Sequence, residues 1–184
     1  MSESMGGPGI IMIDTKYVHN LAAAIRAASC FGVPKLVWTG ERVNLSGLSR
    51  LPREERMKGY KDVNWTHDPL NKPLRHFQAA TPVCVELLEK SEPLSTFVHP
   101  ENGLYIFGPE DGGVPQAIRV RCHRFVHIPA HHCLNLAAAI NVVLYDRLAK
   151  RQIAGLQPIL ATGEMLNEHR GPMEIAAMPG WDGY

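Results

Sequence analysis

Three stretches of this chain put polar residues where chemistry could occur. The first is Ile106-Phe107-Gly108-Pro109-Glu110-Asp111-Gly112-Gly113-Val114-Pro115. Its three glycines allow unusual backbone angles and a close ligand approach, and Glu110 sets one carboxylate at the loop's start. In an open α/β sheet such a loop lies at the carboxyl end of a strand, where ligands bind. No Gly-Lys-Ser/Thr follows and there is no GxGxxG pattern, so it is neither a P-loop nor a dinucleotide fingerprint. Taken alone, it reads more readily as a tight connection with solvated acids. The second stretch is Ile128-Pro129-Ala130-His131-His132-Cys133-Leu134-Asn135, leading into Leu136-Ala137-Ala138-Ala139-Ile140. A strand ends at Pro129 and a helix begins near Asn135. The free N–H groups of that helix start could hold a carboxylate or phosphate; equally, Asn135 could simply cap the helix. The third runs from Asn20 to Gly32 and sets Arg26 in an otherwise apolar helix. Such an arginine ordinarily snorkels to solvent; the alternative is a charge placed for use.

The elements that position these stretches alternate. Ile10–Ile13 reads as a buried strand, Val18–Phe31 as an alanine-rich helix ended by Gly32 and Pro34, and Lys35–Trp38 as the next strand. That spacing predicts a βαβ crossover and a parallel sheet. Val63–Thr66 and Pro82–Leu87 read as further short strands, and Ser91–Val98 as a short helix. Leu104–Phe107 and Arg124–Ile128 are clear strands, and Leu134–Arg151 is a strong helix. The expected class is α/β, a mostly parallel sheet flanked by helices. Residues 1–154 form the expected domain. Residues 155–184, with Pro158, Gly163, Gly171, Pro172, Pro179 and Gly180, form a tail that is irregular or packs on the domain or a partner.

Composition narrows the function classes. The chain has 184 residues, 45% hydrophobic and 20% charged, which suits one globular domain. A formal net charge of +1 offers no global electrostatic argument for nucleic acid. Four cysteines without CxxC spacing point to reduced thiols in a cytoplasmic protein. The first residues lack a signal-peptide pattern, and no apolar run reaches the ~20 residues of a membrane helix. Between Glu41 and Lys61 lie Arg42, Arg50, Arg53, Arg56, Lys58 and Lys61, interleaved with acids. That segment is a candidate RNA surface or a solvated mixed-charge loop.

Together the three stretches resemble the motifs of the SPOUT superfamily, specifically its TrmH-like RNA ribose 2′-O-methyltransferases. The first family motif corresponds to Asn20, Arg26 and Phe31-Gly32, the second to Gly108, Glu110 and Gly113, the third to Ile128-Pro129 and Cys133-Leu134-Asn135. The resemblance spans about Ile10 to Arg151. It implies a C-terminal deep trefoil knot, with S-adenosylmethionine as cofactor in a pocket lined by Phe107, Gly108, Glu110, Ile128, Ala130, Cys133 and Leu134. It implies catalytic roles for Arg26, Glu110, Asn135 and Asn20, with Asn20 on the RNA backbone. It further implies a homodimer through the knot and an RNA substrate, tRNA ahead of rRNA. Arg26 stands where the family's proposed base stands, yet arginine stays protonated up to a pKa above about 12. A charged Arg26 would orient the ribose hydroxyl, or bind phosphate, and stabilise developing negative charge. Cys133 replaces the family's usual serine, a weaker hydrogen-bonding group.

Two rivals stand beside this reading. Cys122, His123, His127, His131, His132 and Cys133 crowd one stretch with residue types that zinc favours, though at no standard ligand spacing. An inactive member of the fold that binds RNA or cofactor without chemistry would also carry these motifs, and Cys133 is the departure that suggests it.

Overall fold

The structure is a computed structural model that describes residues 7–46 and 63–158. Seven strands form one sheet: β1 (Gly9–Met12), β2 (Lys35–Thr39), β3 (Asn64–Asp68), β4 (Thr81–Val85), β5 (Glu92–Pro93), β6 (Gly103–Phe107) and β7 (Arg124–His127). The helices are α1 (Val18–Cys30), α2 (Gln116–Arg119) and α3 (Leu136–Ile153), with 3-10 turns at Pro73–His76 and Leu94–Thr96. Strand order across the sheet is β3-β2-β1-β6-β4-β7-β5. Every pairing among these strands is parallel.

Parallel strands covered on both faces read as unbroken apolar runs, which is the pattern of β1 and β6, buried at every position. Side chains alternate between faces along a strand, and the two cores follow that alternation. Ile10 and Met12 join one core, with Leu21 and Ile25 of α1 and Ile140 and Leu144 of α3. Ile11 joins the other, with Ile106, Val114, Cys122 and the flanking Ile118 of α2. The central register seats Ile11 between Val37 and Ile106.

The connectivity is interleaved. From β1 the chain steps outward through β2 to β3, then lays down β4 and β5 on the far side of β1. Only afterwards does β6 enter between β1 and β4, and β7 between β4 and β5. A partly buried polar chain ties α3 to this centre. His99 Nδ1 lies 2.7 Å from the Tyr105 hydroxyl and His99 Nε2 2.7 Å from Asp146 Oδ2.

The helix expected over Ser91–Val98 is instead the edge strand β5 followed by a 3-10 turn. Pro93 lacks an N–H and holds an extended backbone at φ −67° and ψ 135°. Burial of Leu94 and Phe97 then pins the turn. The strong helix begins at Leu136 rather than Leu134, and α2 had no counterpart in the sequence reading. From Lys150 the described chain completes the last turn of α3 and closes with Leu156 N–H on the Arg151 carbonyl at 2.8 Å. Arg50, Arg53, Arg56, Lys58 and Lys61, and the tail beyond Pro158, lie outside the described residues. No helix among the described residues is long and apolar enough to cross a membrane.

Ile140 is fully buried where α3 meets the sheet. Ile140→Ala should cost about 2–5 kcal/mol of unfolding free energy, read by chemical denaturation. A cost below about 1 kcal/mol would mean that α3 does not anchor this core.

Candidate active site

The three stretches meet at the carboxyl end of β1 and β6. Glu110, just past β6, accepts hydrogen bonds at Oε1 from the Thr15 hydroxyl (2.9 Å) and from Asn20 Nδ2 (2.6 Å). Its Oε2 accepts the Lys16 backbone N–H at 2.9 Å. Asn135 Nδ2 in turn donates to Asn20 Oδ1 at 2.9 Å. Asn135 Oδ1 accepts the N–H groups of Ala137 (2.9 Å) and Ala138 (3.3 Å). Asn135 therefore caps α3 with one end of its amide and holds Asn20 with the other. Thr15 and Asn20 are buried.

Burial pushes the Glu110 carboxyl up. Hydrogen bonds from Asn20, from its own backbone N–H, from Lys16 and from Thr15 outweigh this and hold it below the ordinary carboxylate range. Asn20 is buried, with its amide hydrogen-bonded to Glu110 and Asn135. Arg26 is exposed, six residues along α1. At 100° per residue it lies about 120° around the helix from Asn20, outside this cluster.

Two further features shape the loop. A Cβ at Gly108 would sit 2.7 Å from the Gly113 carbonyl carbon and from the Val114 nitrogen, so only glycine lets the loop fold back on itself. Arg42, past β2, donates to both Asp111 carboxylate oxygens at 2.9 and 2.8 Å and to the Asp14 carbonyl, and it pairs with the Asp14 carboxylate at 3.1 Å. The Arg42 guanidinium holds the Asp111 carboxyl below its usual range. The ends of β1, β2 and β6 are thus tied by one side chain that the sequence showed only as part of a mixed-charge run.

Past the ends of β4 and β7 lies a cleft of about 420 Å³, within the size range of small-molecule sites, whose lining includes Leu134, the neighbour of Asn135 in sequence. Ile128, Ala130, Cys133 and Leu134 line it, together with Val85, Glu86, Leu87, His127, His131, His132 and Ala139. Phe107, Gly108 and Glu110 are not among the lining residues. The sequence reading passed over Val85–Leu87 because an apolar strand end carries no motif; only the β4–β7 pairing brings it beside Ile128. His127 Nδ1 lies 3.1 Å from the Ser91 carbonyl oxygen. Among the described residues, no group of three or more His, Cys, Asp or Glu side chains is placed to hold a metal ion. Cys30, Cys84, Cys122 and Cys133 are all free thiols.

Residues 8–145 match the SpoU rRNA Methylase family. The chain belongs to that family. SpoU methylases are RNA methyltransferases of the TrmH-like SPOUT branch, and the matched span contains all three stretches. No curated protein matches this SpoU chain in sequence. Among solved structures it is similar to the TrmH/SpoU tRNA modifying enzyme of A. aeolicus. That pair is 19% identical with a TM-score of 0.68, over 90% of this chain and 87% of the other. It is also similar, at 23% identity and a TM-score of 0.65, to a structure described as giving insight into 2-OH methylation of C/U34 on tRNA. That match covers 82% of this chain and 98% of the other. A third similar structure is the AdoMet-bound rRNA methyltransferase of Sinorhizobium meliloti, at 18% identity and a TM-score of 0.62. It covers 81% of this chain and 59% of the longer relative. At these identities the likeness is one of fold.

Because the folded Glu110 pKa lies below its unfolded value of about 4.3, ionised Glu110 adds stability that is complete above that pH. The gain is lost as pH falls through the folded value. Glu110→Gln should therefore melt below wild type near neutral pH, by roughly 1–3 kcal/mol, with the gap closing progressively below about pH 4. Thermal melts from pH 3 to 7 check this; a gap independent of pH would contradict it.

Proposed function

We propose that this SpoU methylase transfers a methyl group from S-adenosylmethionine to a ribose 2′-hydroxyl of RNA, with tRNA as substrate ahead of rRNA. One observation carries the reading: Asn135, which joins Asn20 and Glu110 in one hydrogen-bonded cluster, directly follows Cys133 and Leu134, which line a cleft of about 420 Å³. The cleft fits S-adenosylmethionine in kind. Val85, Leu87, Ile128 and Leu134 offer apolar surface to an adenosine, and the exposed 130–134 segment brings backbone groups. Ile128, Ala130, Cys133 and Leu134 would hold it, and the Phe107–Glu110 loop would close beside it. The AdoMet-bound relative and the relative linked to 2-OH methylation support the cofactor and the reaction.

The cofactor's part is an electrophilic methyl group on a sulfonium. The remaining requirements fall on the chain. A ribose hydroxyl attacks poorly until its proton is removed or its oxygen is polarised. Arg26 is permanently charged and takes no proton; it holds that oxygen or the adjacent phosphate and stabilises the negative charge that develops on the oxygen as its proton passes to water, before that charge is spent in the new C–O bond. Glu110 is committed to hydrogen bonds from Thr15, Lys16 and Asn20, so it positions the start of α1. Asn135 carries that order into the start of α3.

The Arg26 face points away from the Asn20 cluster of its own chain, which supports a site completed by a second copy. An apolar strip for that copy exists. Val142 and Tyr145 are exposed on α3, and Tyr145 meets Phe31 of α1 edge-on at 6.5 Å. The family's C-terminal knot belongs to this reading, with β6 entering between β1 and β4 and β7 between β4 and β5. In this reading residues 1–154 are the catalytic domain, residues 155–184 a tail, and the protein a cytoplasmic homodimer.

Labelled S-adenosylmethionine incubated with bulk tRNA and rRNA, followed by nucleoside analysis, should give a 2′-O-methylated nucleoside. Base methylation, or no transfer to either pool, would sink the proposal. Arg26→Ala should cut transfer roughly 10²–10³-fold and leave cofactor affinity by calorimetry within about twofold, since Arg26 is outside the cleft.

A further inference from the structure

Glu86 follows β4 and has no counterpart in the motifs. Its carboxylate is held from two sides: Oε1 accepts the Leu87 N–H at 3.2 Å and Oε2 the Val114 N–H at 2.9 Å. Gly113 clears the space it occupies, because a Cβ there would stand 2.7 Å from Glu86 Oε2. Glu86 is also the one carboxylate among the residues lining the cleft, beside Val85, Leu87, Ile128 and Leu134. An ionised carboxylate has about four acceptor sites, and the two backbone bonds fill only two of them. Next to apolar walls its field is screened less than in water. The affinity of any ligand there therefore depends on the ligand's charge.

Methyl transfer changes that charge by one unit. The donor is a sulfonium cation at sulfur, and the spent product, S-adenosylhomocysteine, is a neutral thioether at the same atom. We infer that Glu86 is the charge-reading residue of this cleft, favouring the methyl donor over its spent product and so assisting product release. The inference rests on the cleft being the cofactor site. In this role Glu86 discriminates between ligands and takes no part in the attack on the methyl group.

Isothermal titration of the full chain with three probes tests it: S-adenosylmethionine, S-adenosylhomocysteine, and sinefungin, which carries an ammonium group near the position of the sulfonium. Glu86→Gln should weaken the two cations by about fivefold or more while moving the thioether less than about twofold. Glu86→Asp, which keeps the charge, should retain the wild-type ratio. Equal weakening of all three by Glu86→Gln would show a residue that only holds the Val114 loop and would overturn the inference; so would three unchanged affinities. If wild type bound none of the probes, the cofactor reading would fall and this one with it, an outcome distinct from any change in ratio between variants.

Discussion

Glu110 accepts hydrogen bonds from the Thr15 hydroxyl, the Lys16 backbone and the Asn20 amide, and the order of the site passes through that one carboxylate. It joins the loop after β6 to the turn before α1. Asn20 carries the link to Asn135 and hence to the first turn of α3. Ionisation is what lets a single group accept three donors, and their combined pull keeps it charged despite burial. The constraint is strict because both ends are fixed by buried strands: β1 and β6 are neighbours in register from Gly9↔Leu104 to Met12↔Phe107. The donors and the acceptor are therefore delivered to one place by the sheet.

Around that link, glycine and arginine do complementary work. Gly108 allows the loop to double back. Arg42 then fastens the same loop from outside through Asp111 and Asp14, at a partly exposed position where a lone ion pair would count for little. The gain here lies in geometry, since one guanidinium forks to two loops.

Much of this was legible in the residues. The apolar runs at Ile10–Ile13, Lys35–Trp38 and Leu104–Phe107 marked the central strands, because strands buried on both faces need no polar alternation. Asn135 was readable as cap or site residue, and the structure has it acting as the cap while bonded to Asn20. Its two ends point to different partners, and sequence spacing does not encode that. Pro93 defeated the helix reading of Ser91–Val98. The weak apolar pattern there answered to burial of Leu94 and Phe97, not to helical period. Glu86 was illegible as a site residue, and Arg42 and His127 were legible only in other roles, in a mixed-charge run and in a His/Cys-rich stretch. Their meaning comes from strands far apart in sequence lying side by side, as β4 lies beside both β6 and β7.

The interleaved strand order bears on how the chain must be made. Synthesis delivers β1 to β3 as a contiguous patch, but β4 and β5 emerge with no strand to pair with, since β6 joins β1 to β4 and β7 joins β4 to β5. Until about residue 127 has left the ribosome, two strand-forming segments carry unpaired edges, the condition that favours aggregation of nascent chains. Such pairings are also long-range, which slows folding. A message truncated before β6 would thus leave at most the β1–β3 patch, with β4 and β5 as loose segments beside it.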